Sequence, residues 1–252
     1  MRSFDLKDRG SALITGAARG LGFALATELK RYGFGLVITG RDEEKVRSSA
    51  EKLGASYYVC DLSKEGAAKA LYEKVKADGH EICVLVNNAG FGAAGELWKV
   101  PEEKDRDLIA VNIAAATELT KLFLSDACGR GYGALLNVCS IAAFQPGPYT
   151  ASYYASKAYL HSYTLAAREE ARKYGVSASA LCPGPLDTEF FENAGANKPG
   201  MSMSAEKAAK YAVKRFLQGK KTIIPGFYMR VTRILPAALK TKFVAKMKIA
   251  KN

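Results

Sequence analysis

The chain has 252 residues, 48% of them hydrophobic and 25% charged, with 23 glycines and 8 prolines. That is ample material for one large α/β core, and it excludes a low-complexity or disordered chain. The formal charge of +12 leaves contact with nucleic acid or an anionic membrane surface open, whereas two histidines and five cysteines without metal-ligand spacing argue against a zinc site, so no metal is expected.

Residues 1–10 mix charges with single apolar residues and contain no apolar signal-peptide core. No uncharged apolar run reaches membrane-spanning length, so no transmembrane helix is expected. Cys60, Cys83, Cys128, Cys139 and Cys182 are scattered, mostly in apolar stretches such as "EICVLV" and "LLNVCS". They read as reduced, buried thiols of a cytoplasmic protein.

Strand and helix patterns alternate along the chain. "SALITG" is an apolar run ending in glycine, and "LGFALATELKRYG" follows with apolar residues every three or four positions. "GLVITG" and "DEEKVRSSAEKLG" repeat the pair, as do "ASYYVCD" and "LSKEGAAKALYEKVKADG". "EICVLVNNAG" is a strand rich in Val, Ile and Leu, followed by a long helix near Glu103–Ala127. "GALLNVCS", "SYYASKAYLHSYTLAAREEARKYG", "VSASALCPG", "SAEKAAKYAVKRFLQG" and "KTIIPG" complete the series. Strands separated by helices of this length make right-handed βαβ units and a parallel sheet covered on both faces. The strands end in small or polar residues, and ligands of open α/β sheets bind beyond such ends.

"TGAARGLG" joins the first strand to the first helix. Gly16, Gly20 and Gly22 permit a tight turn and close backbone approach, and the helix that follows offers free amides to a phosphate. A structural turn explains the glycines alone; the position in the first βα turn favours the phosphate. The second strand ends at Thr39 and Gly40, where many NAD sites carry an acid for the ribose 2′-hydroxyl. Arg41 follows, and Arg19 lies inside the glycine turn. Two guanidinium groups there suit a 2′-phosphate, so NADP(H) is preferred to NAD(H). Asp42 serves either the ribose or, as preferred here, the N-cap of the second helix.

Tyr153 and Lys157 are four apart on the predicted helix, and Tyr154 and Lys157 three apart; both spacings share a face. A lysine ammonium near a phenol favours the phenolate and makes tyrosine a usable general acid or base. Ser140, ending the fifth strand, is placed to bond a substrate oxygen. Helix geometry does not choose between the two tyrosines.

These residues together resemble the classical short-chain dehydrogenase/reductase family from the first strand to "KTIIPG". The glycine motif is matched by Thr15, Gly16, Gly20 and Gly22, beside Leu21, and the adenine-contacting acid by Asp61. "NNAG" is Asn87, Asn88, Ala89 and Gly90, and the helix asparagine of the proton relay is matched by Asn112. The resemblance assigns catalysis to Ser140, Tyr153, Lys157 and Asn112, making Tyr154 a neighbour. It also implies that Tyr153 and Lys157 touch the cofactor, that Pro183 and Gly184 form its post-strand turn, and that Thr188 meets the carboxamide. The implied fold is a single Rossmann-type α/β domain, 1–252, with a seven-stranded, mostly parallel sheet and helices on both faces. The implied assembly is a homodimer or homotetramer.

"PLDTEFFENAGANKPGMS", within 185–203, reads as a substrate loop. Phe91, Phe144, Tyr149, Leu186 and Phe190 are candidate substrate walls with Ser140, suiting an apolar carbonyl compound. His161 reads as structural. The segment 227–252 carries seven Lys or Arg and no acid, with Leu239, Phe243 and Met247 repeating every fourth residue. It suits an anionic membrane surface, a cover over the pocket, or a partner subunit. Nucleic acid is not expected, since no recognition motif accompanies the lysines. The expected function is NADP(H)-dependent interconversion of a ketone or aldehyde and an alcohol. The alternatives are reduction of a 3-oxoacyl thioester and a non-catalytic nucleotide-binding regulator.

Overall fold

The computed structural model describes residues 6–196, 200, 202–226, 241, 244 and 245. Seven strands form one parallel sheet in the order β3-β2-β1-β4-β5-β6-β9: β1 Ser11–Thr15, β2 Gly35–Gly40, β3 Ser56–Val59, β4 Ile82–Asn87, β5 Gly133–Val138, β6 Val176–Leu181 and β9 Thr222–Ile223. The apolar runs of β1, β2, β4 and β5 follow from burial on both faces, whereas β3, at the sheet edge, is largely exposed. Ala12, Ile14, Val84, Val86, Ala134 and Leu136 point to one core; Leu13, Leu85 and Leu135, between them, point to the other.

Helices α1 Gly20–Arg31, α2 Glu43–Leu53 and α8 Ala205–Leu217 pack on the first face. α3 Ala67–Ala77 and α5 Ala116–Arg130 pack on the second, and α6 Ala151–Ala171 lies against β6. Asp42 caps α2, its carboxylate accepting from the Lys45 amide at 3.1 Å. Ser204 caps α8 through the Lys207 amide.

The predicted helix near Glu103–Ala127 is two α segments, α4 Glu102–Ile109 and α5, joined by a π turn at Ala110–Ala115. The span Glu102–Arg130 is long and apolar enough to cross a membrane by length and composition, a feature absent from the sequence expectation. Leu108, Ala115, Leu119, Phe123 and Ala127 are nevertheless buried, four of them within the second core, as in the core helix of a folded domain. The segment read as a substrate loop has structure of its own. β7 Leu186–Asp187 pairs with β8 Met203–Ser204, and α7 Phe190–Asn193 lies between them. Of 227–252, only Thr241, Val244 and Ala245 are described. All three are helical, and Val244 is buried. The amphipathic pattern of Leu239, Phe243 and Met247 falls outside the described residues.

Candidate active site

A cleft of about 1890 Å³ runs along the carboxyl ends of the strands. At one end lies the turn between β1 and α1. Gly16 and Gly20 have φ of 64° and 57°, the left-handed region where a side chain would be strained. Gly22 is fixed by proximity: a Cβ there would stand 2.4 Å from both the Asn88 amide nitrogen and the Gly16 carbonyl oxygen. Asn88 braces this turn, its Nδ2 donating to the Thr15 and Gly16 carbonyls at 2.9 and 3.0 Å. Thr15 Oγ1 accepts in return from the Asn88 and Ala89 amides. The residues just after β4 thereby brace the turn, with the first-turn amides of α1 at its edge.

Beside this turn, Gly40, Arg41 and Asp61 line the cleft. The Ser63 amide and hydroxyl bond Asp61 and hold its carboxyl below the ordinary range. Lys45 does the same for Asp42, at 2.9 Å. Asp42 is therefore occupied as a cap, as its preferred reading required. Arg19 has turned across the cleft to pair with Glu189, 170 residues away in sequence.

The floor is built by β5 and α6. Lys157 is buried, and its Nζ donates to the Val138 carbonyl at 2.8 Å. The same ammonium stands 5.7 Å from the centre of the Tyr153 ring. The Ser140 hydroxyl is within hydrogen-bonding reach of the Tyr153 phenol and accepts from the Ala142 amide. The Tyr154 ring lies against Gly147, where a Cβ would come within 2.2 Å of it. Tyr159 stacks on Tyr163 at the surface, away from the cleft.

Burial pushes the Tyr153 phenol above its ordinary value, with the Ser140 hydrogen bond opposing it. Burial also lowers the Lys157 ammonium. Burial thus outweighs the depression that a neighbouring lysine would be expected to give. Lys157 is engaged by a backbone carbonyl, and desolvation disfavours both charged forms.

Asn112 stands behind the cleft wall. Its Oδ1 accepts from the Phe91 amide at 3.1 Å, and its Nδ2 donates to the Phe91 carbonyl and to Ser156 Oγ. The π turn presents it there, joining the "NNAG" loop to α6. A buried chain below reinforces the same helices. Asn87 Nδ2 donates to Asn137 Oδ1, Asn137 Nδ2 to Thr164 Oγ1, and Thr164 Oγ1 to the Leu160 carbonyl.

The cleft brings together Gly16, Arg19, Gly20, Leu21, Gly22, Arg41, Asp61, Asn88, Ala89, Gly90, Ser140, Tyr153, Lys157, Pro183, Gly184 and Thr188. Phe91, Phe144, Tyr149, Leu186 and Phe190 line it too. Tyr149 is the one non-glycine residue with positive φ among those described, at 62°, and its carbonyl accepts from the Gly95 amide. Sequence reasoning missed Tyr154, Phe191 and Glu189 as lining residues, whereas Val244 accords with the reading of 227–252 as a cover over the pocket. The aromatic pair "FF" was a signal for Phe191; nothing local marks Glu189.

A family model described as short chain dehydrogenase matches residues 11–199. The chain belongs to the short chain dehydrogenase family. It is 33% identical over 193 residues to "Probable oxidoreductase EphD" of Mycobacterium tuberculosis, covering 74% of this chain and 33% of that protein. The chain thus spans about a third of the length of these mycobacterial relatives. Two solved structures share its fold. A short-chain dehydrogenase from Sphingobium yanoikuyae in complex with NADPH gives a TM-score of 0.81 at 24% identity, over 96% of both chains. One from Burkholderia phymatum in complex with NAD gives 0.81 at 24%, over 92% and 93%. The residues that the family model matches include the glycine turn and the Ser140, Tyr153 and Lys157 of the cleft floor.

Proposed function

We propose that this short chain dehydrogenase is an NADP(H)-dependent reductase of an apolar ketone or aldehyde, or the reverse alcohol dehydrogenase. The observation that carries the reading is the convergence of Tyr153, Lys157 and Ser140 on a cleft floor facing the glycine turn. The turn, Asp61 and the "NNAG" loop fit a dinucleotide, which when bound supplies or accepts the hydride.

Tyr153 holds the proton that the substrate oxygen gains on reduction, and burial keeps that proton in place at neutral pH. Ser140 orients the oxygen. Lys157, seated on the Val138 carbonyl, places its charge beside the phenol and would bind the ribose of a bound nicotinamide cofactor. Asn112 positions the "NNAG" loop against α6. Pro183, Gly184 and Thr188 line the cleft and would hold the nicotinamide end of a bound cofactor.

Arg19 and Arg41 support the 2′-phosphate, since Asp42 is already held by Lys45. The substrate walls are Phe91, Phe144, Tyr149, Leu186 and Phe190, with Phe190 packed 5.2 Å from the Tyr153 ring. The same lining carries the carboxylates Glu96, Asp107, Asp187, Glu189 and Glu192 together with the cations Arg19, Arg41, Lys45, Lys64 and Lys157, so the apolar walls rather than its charge favour an apolar carbonyl compound. The chain forms a homodimer or homotetramer through the exposed side of α4 and α6, where Ile109 and Tyr159 are uncovered.

The test is NADPH-dependent reduction across a panel of apolar ketones, with Tyr153→Phe and Tyr154→Phe. The first substitution should abolish turnover of any accepted ketone and leave NADPH binding intact; the second should retain turnover. Full activity in Tyr153→Phe would remove the reading.

A further inference from the structure

We infer that Glu189 sets the protein's discrimination between the two nicotinamide cofactors, by competing with the 2′-phosphate for Arg19. The inference rests on the NADP(H) reading above.

Arg19 stands at the N-cap of α1, inside the turn that would hold the diphosphate, and its backbone position is fixed by the glycines around it. Its guanidinium is bound to the Glu189 carboxylate. Glu189 follows Thr188, whose methyl lies 3.4 Å from where a Cβ on Gly20 would stand, so the substrate segment lies directly over the turn. On the far side, Arg41 makes no ion pair among the described residues, and Lys45 is committed to Asp42. Of the two guanidinium groups suited to the phosphate, one makes no ion pair among the described residues and the other is neutralised by an internal anion.

A 2′-phosphate carries about two negative charges at neutral pH and binds a guanidinium through paired N–H donors. It is drawn strongly to a free guanidinium and weakly to one whose charge a carboxylate cancels. Binding the phosphate through Arg19 must first break the Glu189 pair. A cofactor without that phosphate leaves the pair intact and pays no such penalty. Glu189 thus lowers affinity for NADPH without touching NADH. Exchange of Arg19 also frees the neighbour of Phe190, the residue that covers the Tyr153 ring.

The experiment measures dissociation constants of NADPH and NADH, by cofactor fluorescence, for the wild-type protein, Glu189→Gln, Arg19→Ala and the double variant. An exposed ion pair is worth a factor of about two to five, so Glu189→Gln should tighten NADPH by about that factor and leave NADH unchanged. In the Arg19→Ala background the same substitution should have no effect on NADPH. Unchanged or weaker NADPH binding in Glu189→Gln, or an equal shift for both cofactors, overturns the inference and leaves the pair as an anchor of the segment. If Arg19→Ala does not alter the NADPH-to-NADH ratio, Arg19 is no phosphate ligand, and the NADP(H) reading falls with the inference. If Arg19→Ala lowers that ratio while Glu189→Gln leaves it alone, only the inference falls.

Discussion

The buried chain from β4 to α6 can be tested by changing one atom pair. Asn137 is fully buried, and its amide both accepts from Asn87 at 2.9 Å and donates to Thr164 at 2.8 Å. Thr164 has one proton, directed to the Leu160 carbonyl at 2.6 Å. Asn137→Asp keeps the shape and turns the donor into an acceptor. Either two oxygens then oppose each other, or Thr164 turns its hydroxyl away from the Leu160 carbonyl, which keeps only its helical amide bond. One unsatisfied buried polar group costs about 1–3 kcal/mol, and an unpaired buried charge about 3–5 kcal/mol. Protonation of the new carboxyl restores a donor, so its pKa in the folded state rises above the unfolded value of about 3.9. The sign follows. The stability it allows is whole below that unfolded value and is lost as pH rises through the folded one. With a urea slope of about 3 kcal/mol/M, a deficit of about 3 kcal/mol lowers the unfolding midpoint by about 1 M. That loss should be seen at pH 7.5 and should shrink at pH 5. A midpoint equal to wild type at pH 7.5, or a deficit that does not change with pH, would refute the assigned donor order.

Gly22→Ala puts a methyl into the Asn88 amide and the Gly16 carbonyl. It should destabilise by about 1–3 kcal/mol in urea and weaken cofactor binding at least tenfold. Gly129→Ala, a helix position with open space around it, should be neutral or slightly stabilising; equal effects of the two would show that crowding at Gly22 is unimportant. In the cofactor-free protein, ultraviolet difference titration of wild type against Tyr153→Phe should place the phenol's ionisation above the ordinary value of about 10. Its contribution to stability is then intact below that value and fades at higher pH. An ionisation below it would mean that Lys157 outweighs burial. Asn112→Ala should lower turnover more than cofactor affinity, since it loosens the seat of Phe91 against α6; loss of affinity alone would contradict that role.

Much of the fold was legible because the central parallel strands, buried on both faces, leave apolar runs; the exposed edge strand β3 was legible from its place in the alternation instead. The glycine turn was legible for a similar reason: Gly16 and Gly20 occupy a backbone region few other residues enter. The π turn was not, because its cause is distant. Asn112 is presented there to the backbone of Phe91, 21 positions earlier, and no local pattern announces that pairing. The short β7–β8 pair was hidden too. Its four residues carry no periodicity, and their pairing is defined only across the intervening α7.

The same contrast explains how one of two adjacent tyrosines comes to face the lysine. Spacing allowed either. Gly147 decides between them by what it lacks: without a Cβ, the loop before α6 lets the Tyr154 ring lie flat against its backbone. Tyr149, held at φ 62° with its carbonyl bonded to the Gly95 amide, fixes the path of that loop. With Tyr154 so placed, Tyr153 is left between Ser140, Phe190 and Lys157. The orientation of the phenol is therefore a property of the loop that precedes it as much as of the helix that bears it. A methyl at Gly147 must displace the Tyr154 ring, and its effect on turnover should exceed that of removing the Tyr154 hydroxyl. Gly147→Ala turning over as fast as Tyr154→Phe would show that α6 alone aims the phenol.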